Sequence, residues 1–291
     1  MASFSFWCNI LLMVYVLIAL LGLCLGSFVN ALVWRTHQLS LAKKKQKISK
    51  EKLSILKGRS VCTECGHELG VSDLIPIISW VSLNGNCRYC KKKISWQYPL
   101  VESISAVFFV TAYYLWPNFV DNGTVIEYAI FGSFLIGITI GLALSVYDFR
   151  WKLLPNKLVK PFALAGAFYA FASILTSNNV SDRIISVLAA ITVAGGIFWV
   201  LYQVSDGKWI GGGDVKLGFA LGLFMTGPIM AFMMIFLASL LGSFYALILK
   251  IVGKFNRKSH IPFGPFLLFA TYIVVIYGQR IVDIYKDFLY L

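Results

Sequence analysis

Long uncharged runs decide what this chain can fold into. The first charged residue is Arg35, and the stretch 10–33 before it is almost wholly apolar. As a helix rising 1.5 Å per residue, such a run crosses roughly 30 Å of hydrocarbon. Runs of the same kind recur at 99–115, 128–147, 158–175, 184–204, 229–249 and 262–279. Within lipid a backbone must satisfy its own polar groups, which a helix does. Only 13% of the residues are charged and 58% are hydrophobic, which excludes an ordinary soluble domain. The fold class expected is an all-α polytopic membrane protein.

The formal net charge of +13 is unevenly spread. Lys43, Lys44, Lys45, Lys47, Lys50, Lys52, Lys57 and Arg59, then Arg88, Lys91, Lys92 and Lys93, fall in one polar stretch, 35–98. Basic loops face the cytoplasm and its anionic lipids. The charge lies beside membrane segments rather than on a soluble domain, which argues against nucleic acid as the partner. No positive charge precedes the first apolar run, so it reads as a retained span with its N-terminus outside rather than a secretory signal. The stretch 116–127 has two acids and no lysine or arginine, and 176–183 is short and polar; both read as outside. Lys250, Lys254, Arg257, Lys258 and His260 place the loop after 249 inside.

One apolar stretch is too short. Residues 215–226 end at Gly227-Pro228, a turn signal, and make about 18 Å of helix. The charge parity of the flanking loops still requires this stretch to cross, so its start should be sunk into the membrane. The expected total is about eight spans with both termini outside. The domains are then 1–34 (first span), 35–98 (cytoplasmic insert) and 99–291 (seven membrane helices).

Within the insert, Cys62-Thr63-Glu64-Cys65 and Cys87-Arg88-Tyr89-Cys90 form two Cys-x-x-Cys pairs. This spacing points to a structural zinc site of four thiolates, and a reducing cytoplasm disfavours disulfides. Four thiolates leave no open position for catalysis by the metal. His67 is surplus to this set, and Cys8 and Cys24 sit in apolar runs as packing residues. Gly22 and Gly26 form a small-xxx-small pair that suits close helix contact, and Asn30 suits a hydrogen bond between helices.

Two aspartates remain. Asp148 ends the run 128–147, and Asp214 follows Gly211, Gly212 and Gly213 at the start of the short apolar stretch. Taken singly, Asp214 reads as a helix cap and Asp148 as an ion-pair partner of Arg150 or Lys152. If their helices are neighbours, the two carboxyls share a site in low dielectric, where both cannot comfortably ionise and one proton is held between them. That arrangement performs aspartic proteolysis. The glycines leave room for an extended substrate strand, and Lys216 and Glu102 are further candidates for substrate approach. Glu102 equally suits pairing with the lysines upstream.

Taken together, these motifs resemble the bacterial type IV prepilin peptidases of the GxGD aspartic protease group over nearly the whole chain. The motif at 211–217 resembles the family's second aspartate motif, and Asp148 with Leu154-Pro155 resembles the first. Gly26-Ser27-Phe28-Val29-Asn30 resembles its first-span signature. The cysteine insert followed by Tyr98-Pro99-Leu100-Val101-Glu102 resembles the larger members, and Ile261-Pro262-Phe263-Gly264-Pro265-Phe266 their C-terminal signature. Asn156 stands where the family often has Asp, and Gln97 where it often has Arg; neither change touches the carboxyls.

The resemblance implies cleavage of basic leaders from prepilins and pseudopilins at the cytoplasmic face of the bacterial inner membrane. It also implies N-methylation of the new terminus from S-adenosylmethionine, for which the residues themselves show no cofactor fingerprint. The rival readings are a peptidase without methylation, a transporter relaying protons through its aspartates, and a zinc-knuckle assembly scaffold. Oligomeric state is not legible.

Overall fold

The computed structural model describes residues 2–41, 53, 54, 58–116, 123–254 and 261–289, residues 2–9 as backbone alone. The expectations for Lys43, Lys44, Lys45, Lys47, Lys50, Lys52, Lys57, Arg257, Lys258 and His260 lie outside the described residues. Among those described, seven helices are long and apolar enough to cross a membrane, and regular structure is otherwise confined to shorter helical segments. The chain divides into two compact units, Met1–Leu115 and Trp116–Leu291.

The first unit holds α1 (Ala2–Ser40), a 3-10 turn (Val71–Leu74), α2 (Ile78–Ser82) and α3 (Gln97–Leu115). α1 packs along α3 at backbone distance. A Cβ on Gly22 would meet Ala106 Cα at 2.7 Å, and one on Gly26 would meet Glu102 Cα at 2.7 Å. The small-xxx-small pair is therefore a true contact seam. Asn30 is buried beside it; its Nδ2 donates to Tyr98 O at 3.2 Å and its Oδ1 accepts from Gln97 Nε2 at 3.2 Å. The helix does not stop where charge begins. Arg35 lies within α1, and its two terminal nitrogens donate to Ser54 O and Gly58 O at 3.0 Å each. These carbonyls help to satisfy a guanidinium buried at a helix end.

The second unit holds α4 (Val125–Trp151), α5 (Asn156–Leu175), α6 (Val180–Val204), α7 (Gly212–Gly222), α8 (Pro228–Ile251) and α9 (Gly264–Leu289). α4 starts on a capping box in which Thr124 and Glu127 satisfy each other's backbone N–H groups. α7 has 11 residues, about 16 Å of helix. It nevertheless returns along α6. A Cβ on Gly218 would meet Ala194 O at 2.7 Å, one on Gly222 would meet Ile191 Cα at 2.6 Å, and Arg183 at the start of α6 donates to Thr226 O at 3.3 Å. The segment after Asp214 thus runs antiparallel to α6 and ends at that helix's first turn. Phe224, just past α7, is buried against Phe162 and Tyr169, with ring centroids 5.1 and 5.4 Å away.

Candidate active site and metal cage

Asp148 occupies the last turn of α4. The helix closes on Lys152, whose backbone is left-handed at φ 55° and whose N–H donates to Asp148 O at 2.7 Å. The carboxyl itself is buried and accepts from Gly264 N–H at 3.1 Å. Gly264 is the first residue of α9, so its N–H is one of the donors that a helix start leaves free. A Cβ at Gly264 would lie 2.7 Å from Asp148 Oδ2; only glycine lets the carboxyl approach this backbone. Among the described residues Asp148 forms no ion pair with Arg150 or Lys152. The Arg150 guanidinium instead lies 4.9 Å from the Trp151 ring centroid.

Asp214 sits in the first turn of α7, whose N-cap is Gly211, and its own N–H donates to Gly211 O at 3.0 Å. Leu154 joins the two aspartates' surroundings. A Cβ on Gly213 would meet Leu154 Cβ at 3.2 Å, and one on Gly264 would meet Leu154 Cδ2 at 3.6 Å. Leu154 thus borders both the residue before Asp214 and the glycine that binds Asp148. Lys216 is exposed and donates to Asn156 Oδ1 at 3.3 Å, which ties the α7 entry to the start of α5. Gly211 and Gly212 are exposed beside Asp214.

Glu102 belongs to the first unit. It is buried in α3, and its Oε2 accepts from Ile77 N–H at 2.7 Å. The Ser27 hydroxyl also bonds it, so its described partners are a backbone amide and a serine rather than a lysine.

The four cysteines 62, 65, 87 and 90 place their Sγ atoms within 4.8 Å of one another, and all four are free thiols. Cys62 Sγ and Cys90 Sγ are 3.9 Å apart. A tetrahedral zinc with bonds of about 2.3 Å separates its sulfurs by roughly 3.8 Å, so the cage fits that ion. Two near-identical loops build it. Cys62 N–H donates to His67 O and Gly66 N–H to Cys62 O; Cys87 N–H donates to Lys92 O and Lys91 N–H to Cys87 O. Bridges Val61–Glu68 and Asn86–Lys93 close the two loops in the same way. Gly66 and Lys91 hold equivalent positions, both at positive φ. Burial opposes ionisation of the Cys87 thiol, but N–H donors from Cys90 and Tyr89 and the thiols of Cys62 and Cys90 lower its pKa to about 7, which suits a metal ligand. His67 stays outside the cage with its ring against Tyr89 at 3.6 Å.

Residues 20–116 match the bacterial peptidase A24 N-terminal domain, and residues 135–247 match the type IV leader peptidase family. The chain is 32% identical over 265 residues to the type 4 prepilin-like proteins leader peptide-processing enzyme of Escherichia coli O78:H11, covering 89% of this chain and 92% of that protein. The chain belongs to the type IV leader peptidase family. This leader peptidase relative is also 28% identical to the prepilin leader peptidase/N-methyltransferase of Aeromonas hydrophila, over 91% of each chain. It is 29% identical to the protein of that name from Pseudomonas aeruginosa, over 92% of each. No solved structure matches it. Asp148 and Asp214 both fall in the matched region 135–247, whereas Gly264 lies beyond it. The spacing of the aspartates was open to sequence reasoning; the role of Gly264 was not, although the 261–266 motif marked the place.

Proposed function

We propose that this chain is a membrane aspartic endopeptidase that removes the leader peptide from prepilins and pseudopilins, with Asp148 and Asp214 as its catalytic pair. The observation that carries this reading is that the end of α4, with buried Asp148, and the start of α7, with half-buried Asp214, both border Leu154. One carboxyl acts ionised and takes a proton from water as the oxygen attacks the scissile carbonyl. The other acts neutral and donates to the carbonyl oxygen, giving a tetrahedral diol. Collapse of the diol returns a proton to the departing amine and frees the new N-terminus. The backbone of Gly264 holds Asp148 in place, and the glycines at 211–213 leave an extended substrate free to approach Asp214.

The second activity follows from the names of the relatives: transfer of a methyl group from S-adenosylmethionine to the new terminal amine. No residue is assigned to it. The cysteine cage is proposed to hold a structural zinc through Cys62, Cys65, Cys87 and Cys90. The chain is placed in the bacterial inner membrane with its aspartates at the cytoplasmic face, its termini outside, and its basic loops against anionic lipid.

One assay tests both activities: purified protein in lipid, a prepilin substrate, and S-adenosylmethionine labelled in its methyl group. Wild type should release leader and label the mature pilin. Asp148→Asn and Asp214→Asn should each lower cleavage by about 10³-fold or more while still inserting in the membrane. Cleavage retained in either variant would remove the dyad mechanism, and cleaved but unlabelled pilin would remove the methyltransferase. The metal has its own test. Metal analysis should find one zinc per chain, and Cys62→Ser with Cys65→Ser should lose it and leave residues 58–96 sensitive to proteolysis; full zinc content in that double variant would rule the cage out as the metal site.

A further inference from the structure

Between the two cysteine loops the chain reads VSDLIPIISWVS over 71–82. This is an apolar connector in a segment otherwise rich in charge, and its single acid, Asp73, is held by Arg88 Nε at 2.7 Å. Trp80 turns to the interior of the insert. Its Nε1 donates to Ile94 O at 3.2 Å, and its ring lies 4.1 Å from that of Trp96. The remaining apolar side chains point away: Val71 is 86% exposed, Ile78 64% and Val81 59%, with Leu74 and Ile75 also exposed. Ser79 N–H bonds to Ile75 O and Val81 N–H to Ile77 O. Within α2, Ile78 and Val81 share one face at three-residue spacing, away from Trp80, and exposed Ile75 lies just before the helix.

The height of this face is fixed by a buried acid. Ile77 stands at φ 60°, ψ −51°, in a tight turn closed by Ile78 N–H to Pro76 O. Such a γ-turn is rare and strained, more so for a β-branched residue. It persists because Ile77 N–H donates to Glu102 Oε2 at 2.7 Å, and Glu102 lies in the second turn of the membrane helix α3. The apolar face is thereby tied level with the entry of a span. Trp96, 73% exposed, immediately precedes that span, the position where tryptophan marks a membrane–water boundary. Lys91 and Lys93 in the adjoining cysteine loop supply cations for anionic headgroups, whereas Arg88 and Lys92 pair with Asp73 and Glu64.

We propose that Ile75, Ile78 and Val81, with Val71 and Leu74 beside them, form a lipid-docking face that lies in the headgroup boundary of an anionic phospholipid leaflet and seats the cysteine insert on the membrane. The apolar strip embeds, the lysines meet phosphate, and the strained Ile77–Glu102 link sets the depth. This surface is independent of the aspartate chemistry.

The test uses the full chain in nanodiscs of phosphatidylethanolamine and phosphatidylglycerol. A benzophenone amino acid replaces Ile78 in one variant, Val81 in a second and Glu64, in the first cysteine loop, in a third. All three side chains are exposed, so the substitutions leave the core of the insert untouched. After irradiation, intact-mass analysis reads the adducts. The expected result is phospholipid adducts at positions 78 and 81, several-fold more abundant than at 64. Equal yields at all three positions, absence of lipid adducts at 78 and 81, or capture there of another part of this chain or of an added prepilin in place of lipid would overturn the proposal.

Discussion

At the level of single residues, the most telling contact is Gly264 N–H to Asp148 Oδ2. A methyl group added at 264 would stand 2.7 Å from that oxygen, so the carboxyl must swing away. Misplacement of a reacting group by an ångström costs about 10²-fold in rate. Gly264→Ala should therefore lower kcat for prepilin cleavage by roughly that factor with KM little changed, and thermal unfolding in detergent should be nearly unaffected. A change in KM alone, or in neither constant, would show that Gly264 does not position Asp148. This contact was hidden in the sequence because its partners lie 116 positions apart and no local pattern links them. The cysteine cage was open to reading, since both pairs carry their own spacing. Its repeat was half legible: Gly66 announces a positive φ, whereas Lys91 adopts the same backbone with no residue preference to betray it.

Among the helices, α7 carries the most consequence for its length. Its inner face must be small because it runs against α6 almost at backbone contact. Gly218→Val would drive a branched side chain into Ala194 O and Phe198, each 2.7 Å from the added Cβ. Overpacking of this kind costs about 1–3 kcal/mol. The variant should unfold at lower temperature, and cleavage should fall with it because Asp214 rides on the same helix. An unchanged melting temperature would contradict the tight α6–α7 seam. The sequence showed that this stretch was short and needed to cross; it could not show what α7 leans on. Helix ends were the least legible part. The apolar run at 10–33 marks hydrocarbon, but α1 continues to Ser40 because Arg35 finds carbonyl partners. α9 likewise continues beyond 279 to Leu289 through Arg280, Asp283, Lys286 and Asp287, helped by Gln279 Nε2 bonding Asp283 Oδ1 at 2.9 Å. Hydropathy ends where lipid ends, whereas helical hydrogen bonds do not.

For the molecule as a whole, the return of α7 along α6 fits the expected short crossing beside the seven long helices. In the proposed topology this makes an even number of crossings, which would leave both ends of the chain on one side, the outside. An alkaline phosphatase fused after Leu291 should be active in intact cells, and the same enzyme fused at Gly207, between α6 and α7, should be inactive. Activity at Gly207 or silence at the C-terminus would refute this topology. All-helical architecture, number of segments and membrane residence were plain from the apolar runs, because lipid allows a backbone few alternatives. The division into units at residue 115 was not. It reflects the pairing of α1 with α3 at glycine contacts, a matter of packing that hydropathy does not encode.

The bond from α9 to Asp148 also sets an order of events during synthesis. Ribosomes deliver Asp148 and Asp214 early, but the amide that seats the first of them arrives only with the final helix. A nascent chain therefore carries both acids before the amide that seats Asp148 has been made. On the proposed mechanism, cutting would then have to await the emergence of α9.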